Sequence, residues 1–382
     1  MKKINIKIFD IVSFMVFNSC CITVYYGEYF SKIQMAFAIL SMLYLIKKIN
    51  ILFLKRYKTF NLAFLSFIAV SILSCVINNS GFTNSIIFFI KIFILLIFTE
   101  YMHYQNKDNI VVKQYGFLYL LYVVLSIVIQ YMHPELFELN RNNYLIGNKF
   151  AVSYAAFMSV IFLNSYRKKY KLTTLNLGFF YLLLLIFSIL VCFVTDCNTG
   201  LICCVSYILF DFFDLKKAKS GSIVLIVALL SSTLLLFFRN YFLNLPLVKH
   251  LVIDVLHRNL TLSGRVQIYE KMFDIIFQKK LLGYGYNNSY NILYPLIQAP
   301  NTQNALVEWW FSSGIIGLCL LLVSIYICFE NLKKNSSSQF NEKSFVIGIY
   351  IFLILGSIEI TIGTAFFVLL LFLNIGNIEE SW

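Results

Sequence analysis

Six arginines occur in the chain: Arg56, Arg141, Arg167, Arg239, Arg258 and Arg265. Lysine is the commoner cation, so each arginine invites a reason. The guanidinium is a planar fork that grips a phosphate through two parallel hydrogen bonds, which an ammonium cannot do. Arg56 and Arg167 stand among lysines, in "KRYK" and "RKKYK". The other four stand apart from such clusters. Arg239 adjoins the end of an apolar run, where headgroup anchoring accounts for it. Arg258 reads equally well as an anion ligand or as half of a weak surface ion pair. Arg265 opens a helix-like run, "RVQIYEKMFDIIFQKK", with Ser263 placed as N-cap. A cation in the first turn opposes the helix dipole, unless an anion binds beside it on the free N–H groups. A solvated arginine on an ordinary amphipathic helix fits the same residues.

Two further stretches carry chemistry. In "LLGYGYNNSYN", Gly283 and Gly285 allow a tight turn, and Tyr284, Tyr286 and Tyr290 offer faces for stacking on sugar rings or for an interfacial belt. No strand precedes the glycines, so this is not a dinucleotide motif. In "APNTQNALVEWWFSSGIIG", Gln303 and Asn304 can orient a sugar, but Gln303 cannot take a proton at neutral pH. Glu308 heads an apolar run, where a carboxylate is costly unless paired or used. Gly314 and Gly317 are spaced for close helix packing. His250, His257, Asp196 and Glu359 are other candidate bases, and Glu308 ranks first among the acids.

The elements that must hold these residues are membrane helices. Of 382 residues, 60% are hydrophobic and 13% charged, against about 25% charged in soluble domains. Mean hydropathy is +0.79. Apolar blocks fall at about 8–26, 33–46, 60–77, 86–103, 115–133, 150–165, 175–194, 199–213, 222–238, 306–330, 345–358 and 361–377, near the roughly 20 residues that span a bilayer. The runs are continuous, which excludes a β-barrel and makes them helices. The expected fold is an all-α polytopic membrane protein of about 12 spans. It divides into an N-terminal bundle over 1–238, a large extracytoplasmic loop over 239–305 and C-terminal helices over 306–382. Lys2, Lys3 and Lys7 precede the first run, and no small-residue cleavage site follows, so an uncleaved first span is expected.

The net charge of +13 lies mostly in short loops between apolar blocks. That is a topology signal and not a nucleic-acid footprint. The clusters after spans two, six, eight and ten fall on one side, so both termini are expected in the cytoplasm. The segment 134–150 and the long loop from Arg239 then face outward, with the four arginines outside the lysine clusters on that side. Eight of the nine cysteines lie in apolar runs and Cys197 near a surface, a pattern of neither disulfides nor zinc.

In order and spacing, these residues resemble the O-antigen polymerase and ligase family, which includes Wzy-type polymerases of O-antigen and capsule. The resemblance rests on Ser263-Gly264-Arg265, Tyr269, Gly283-Tyr284-Gly285, Gln303-Asn304 and Gly314-Ile315-Ile316-Gly317. A weaker match is "IGNKFAVSYAAF" at 146–157. The chain departs from the family where many members have His before Asn and this one has Gln303. It departs again at "TDCNTG", where Asn198 stands near an arginine position.

The resemblance implies a GT-C-like architecture in the bacterial cytoplasmic membrane with its active site on the outer face. It implies polymerisation of undecaprenyl-diphosphate-linked oligosaccharide repeat units for the cell envelope. Fixed cations would stabilise the leaving diphosphate. That role falls to Arg265 and Arg141, with Lys149 and Arg258 beside them. Tyr284, Gln303 and Asn304 would hold sugar, and Glu308 would serve as base. No Asp-x-Asp pair suggests a metal, and no cofactor is expected. Membrane lipid, a flippase and chain-length regulators are the implied partners. The alternative is a ligase that moves a finished glycan to another acceptor. A lipid-linked oligosaccharide flippase would instead show similar halves and mid-membrane polar sites.

Overall fold

The computed structural model describes residues 7–25, 27–55, 58–134, 143–169, 175–213, 217–237, 245–250, 253–254, 265–334 and 341–375. Its helices are α1 (Ile8–Val16, extended by a π turn Phe17–Cys21), α2 (Gly27–Leu45, continued by a 3-10 segment Ile46–Phe53), α3 (Lys58–Ile77), α4 (Phe82–Tyr104), α5 (Asp108–Met132), α6 (Lys149–Lys169), α7 (Leu175–Val194), α8 (Asn198–Phe212) and α9 (Gly221–Phe237). Then come α10 (Pro246–His250), α11 (Arg265–Gln278), α12 (Ser289–Ile297), α13 (Ala305–Lys334), α14 (Glu342–Leu355) and α15 (Thr364–Ile375). One two-residue hairpin pairs Tyr144 with Gly147 just before α6.

Each of the twelve apolar blocks overlaps a helix among the described residues. Among the described residues, five helices are long and apolar enough to cross a membrane: Tyr29–Phe53, Lys58–Ile77, Phe82–Tyr104, Asp108–Met132 and Ala305–Lys333. Shorter apolar helices accompany them. Helix α5 starts seven residues before the expected boundary at 115. Charged Asp108 resembles loop, but its carboxylate is buried against His103 Nδ1 at 2.6 Å. Helix α7 shows why the molecule belongs in lipid. Phe179, Leu182, Leu183, Ile186 and Leu190 are all exposed at three- and four-residue spacing along one face, a stripe that water would not tolerate.

Helices α14 and α15 form the centre. From Phe366 to Ile375 every residue of α15 is buried, as a helix apolar all round requires. Aromatic edges knit the bundle: Phe67 meets Trp309 at 5.0 Å and Phe162 meets Phe372 at 5.0 Å. A second, smaller core joins Ile268, Tyr269, Met272 and Ile276 of α11 to Leu293 of α12 and Phe311 of α13. That small core fixes the segment 265–304 against one end of the bundle.

Candidate active site at one end of the bundle

The glycine motifs interlock. Helix α13 is broken at Gly314, where φ is 68° and ψ is −177°. A break frees carbonyls and N–H groups that an apolar setting cannot leave unpaired. The loop 280–285 supplies four partners across the break. Tyr284 N–H donates to the Phe311 carbonyl at 2.8 Å, and Gly285 N–H to that of Ser312 at 2.9 Å. In return, Ile315 N–H donates to Lys280 O at 2.9 Å and Ile316 N–H to Leu281 O at 3.4 Å. The end of α3 clasps the same loop: Asn78 donates to Gly283 O at 2.9 Å and Ser80 to Tyr284 O at 2.8 Å. Gly314 was expected in helix packing. It is instead the socket for the Gly283–Gly285 loop.

Tyr284 is consequently a buried anchor. Phe311 stacks on its ring at 4.8 Å, the Lys279 ammonium lies over it at 5.0 Å, and its hydroxyl donates to Ile275 O at 2.7 Å. Only 7% of it is exposed, which leaves no face for a sugar. The sugar-stacking expectation is corrected for that reason. Tyr286 is likewise stacked on Phe88, at 4.6 Å.

Glu308, Gln303 and Asn304 form a second tie. Glu308 Oε1 accepts from Ser289 Oγ at 2.5 Å, and Oε2 accepts from Thr302 N–H at 3.1 Å and Thr302 Oγ1 at 2.9 Å. One carboxylate thus joins the start of α12, the 299–304 turn and the first turn of α13. Asn304 is fully buried. Its Oδ1 accepts from Ser232 Oγ at 2.9 Å, and its amide faces Ser357 O at 3.4 Å. Asn304 therefore positions the backbone and does not reach a ligand. Gln303 takes a positive φ of 55°. Its carbonyl accepts the Tyr269 hydroxyl at 2.9 Å, which also donates toward Ser357 O at 3.2 Å. Its side chain and backbone N–H both donate to Asn301 Oδ1, at 2.7 and 2.9 Å.

The cationic expectations are less fully visible. Arg141 and Arg258 lie outside the described residues, and of Arg265 only the backbone is described, at the first position of α11. That position is one turn, about 6 Å along the axis, before Tyr269 and its contacts with Gln303 and Ser357. Lys149 Nζ donates to Asp196 O at 3.0 Å and lies 3.8 Å from the Asp196 carboxylate. It is drawn toward the α7–α8 turn.

Beside these ties is a cavity of about 430 Å³, in the size range of ligand pockets. Ile22 and Tyr25, Asn148 at the start of α6, Tyr154, Asn301, and Glu359, Thr361 and Thr364 between α14 and α15 all line it. Glu359, named in the sequence only as one acid among several, is the carboxylate in this cavity. Asn148, Asn301 and Tyr154 were not singled out at all. The signal available was weak: none of the four stands in a pattern with the others, and they come from three separate parts of the chain.

Among known protein families, the model described as O-antigen ligase matches residues 182–322. The match begins within α7, takes in α11, the Gly283–Gly285 loop and the 299–304 turn, and ends just past the break in α13. No curated protein and no solved structure matches the chain significantly.

Proposed function

We propose that this chain, which belongs to the O-antigen polymerase and ligase family, joins oligosaccharide repeat units carried on undecaprenyl diphosphate into a longer polysaccharide. The supporting observation is one of place. Residues 265–304 of the family-matched segment pack at the same end of the bundle as the cavity, and Asn301 contributes to its wall. A site at the mouth of a membrane bundle suits a substrate whose lipid stays in the bilayer while its sugars stand in water.

The arginine at the head of α11 binds the diphosphate in this reading. Negative charge gathers on that group as the glycosidic bond forms, so a fixed cation lowers the barrier. Arg141 and Arg258 supply further charge. In this reading the lysine-rich loops and both termini face the cytoplasm and the cavity opens outside, as the positive-inside rule supports. Glu308, Gln303 and Asn304 hold the framework.

A strain deleted for this gene tests the reading. It is complemented with wild type, Arg265→Ala and the control Arg56→Ala at equal protein level, and glycan length is read on a gel. Wild type and Arg56→Ala restore long chains, while Arg265→Ala leaves single repeat units. By analogy with a lost oxyanion donor, the loss is about 3 kcal/mol in the barrier, or over a hundredfold in rate. Normal polymerisation by Arg265→Ala removes the assignment. The matched family is described as a ligase, which favours a second reading. Under it, the deletion strain still makes long lipid-linked chains that fail to attach to their final acceptor.

A further inference from the structure

We propose that the 430 Å³ cavity is the subsite for the acceptor sugar, and that Glu359 is the base that takes the proton of its attacking hydroxyl. The inference rests on the glycosyl-transfer reading above and adds a substrate part and a residue to it.

The described lining suits a neutral ligand better than a diphosphate. None of the described residues around the cavity is a lysine, arginine or histidine, and a diphosphate buried without a cation would carry an uncompensated charge. What the lining offers matches a neutral sugar ring. Ile22, Ile146 and Met158 give apolar walls for the ring faces, and Glu359, Asn148, Asn301 and Thr361 give polar groups for its rim. The two asparagines are oriented alike. Asn148 Oδ1 accepts Ala151 N–H at 3.1 Å, and Asn301 Oδ1 accepts both donors of Gln303, at 2.7 and 2.9 Å. Their oxygens are thus engaged by the protein, and among the described residues their NH2 groups remain to donate. The Tyr154 hydroxyl is buried in the wall with no hydrogen-bond partner among the described residues. A buried hydroxyl left unpaired is costly, and a sugar hydroxyl in the cavity would give it a partner.

Glu359 is the one carboxylate of the described lining. In the step it serves, the acceptor oxygen attacks the anomeric carbon of the donor unit. The carbon–oxygen bond to the diphosphate breaks, and the lipid diphosphate departs with the electron pair. The acceptor's hydroxyl proton passes to the Glu359 carboxylate, which returns it to water. Asn148 and Asn301 hold the acceptor during attack, and Tyr154 completes the rim.

The test uses the full chain in lipid nanodiscs, with the lipid-linked repeat units that accumulate in the deletion strain as substrate. Glu359→Gln keeps the shape and removes the base. Turnover falls at least a hundredfold, retention of radiolabelled lipid-linked units on the nanodiscs is unchanged, and Glu359→Asp recovers part of the rate. Tyr154→Phe raises KM with kcat little altered. Wild-type turnover by Glu359→Gln overturns the inference; if Arg265→Ala is inactive in the same assay, the glycosyl-transfer reading stands without it. If both variants turn over normally, that reading falls as well. Should Glu359→Gln not fold, Tyr154→Phe decides, and an unchanged KM overturns the subsite.

Discussion

Gly283 and Gly314 are each other's clearance. A Cβ on Gly314 would lie 2.0 Å from the Leu281 carbonyl oxygen, and one on Gly283 would lie 2.6 Å from the Gly314 nitrogen. Both residues also hold positive φ, 70° and 68°. The broken helix and the loop that repairs it can coexist only if neither position carries a side chain.

Gly314→Ala accordingly adds a backbone collision to a strained φ that alone costs about 1–3 kcal/mol. We expect the folded yield and Tm in detergent to drop sharply, by fluorescence-detected size exclusion after heating. Gly178 has nothing within 4 Å of its would-be Cβ. Gly178→Ala should leave Tm unchanged or slightly raised, because alanine favours a helix interior by roughly 0.5–1 kcal/mol. A Gly314→Ala variant as stable as the Gly178 control would show that the loop is not seated in the break.

Glu308→Gln should separate a tie from a base. Glutamine presents one oxygen where the carboxylate presents two, so the bonds from Ser289 and Thr302 cannot all persist. The expected cost is about 1–3 kcal/mol of stability, seen as a lower Tm, with turnover kept within tenfold. A hundredfold loss of turnover at wild-type Tm would make Glu308 the catalytic base and refute its role as a tie.

Orientation is tested with two exposed positions at opposite ends of the bundle. Asn287→Cys, in the 283–288 loop, should react with a membrane-impermeant maleimide on intact cells. Lys333→Cys, in the last turn of α13, should react only after lysis. Labelling in the reverse order would move the cavity to the cytoplasmic side and end the proposal of lipid-linked glycan transfer outside.

The helices were legible because continuous apolar length is a local property, and each block maps to a helix on that basis alone. The site was legible only in part. Tyr284 has the right chemistry for stacking on sugar, and nothing in the sequence says that Phe311 already covers it. Asn304 has the right chemistry for binding, and only the fold reveals Ser232 and Ser357 as its partners. Glu359 is the opposite case. One acid at the end of an apolar run carries no pattern, and it gains meaning when Tyr25, Asn148 and Asn301 arrive from elsewhere in the chain. Interior ties and ligand contacts use the same residue types, so composition at a position does not separate them.

The break in α13 also redraws the boundary at which this protein could be re-engineered. By hydropathy the membrane portion resumes at 306. By hydrogen bonding, the stretch from Ala305 to Ser313 is tied to the loop that precedes it as well as to the bundle, since Tyr284 and Gly285 hold the Phe311 and Ser312 carbonyls while Trp309 Nε1 donates to Ile362 O. Residues 265–313 therefore form one cartridge, plugged into a permanent chassis at Gly314. A chimera that exchanges outer-face specificity between relatives should be spliced at that glycine. Splicing where the helix begins would separate the cartridge from its own floor.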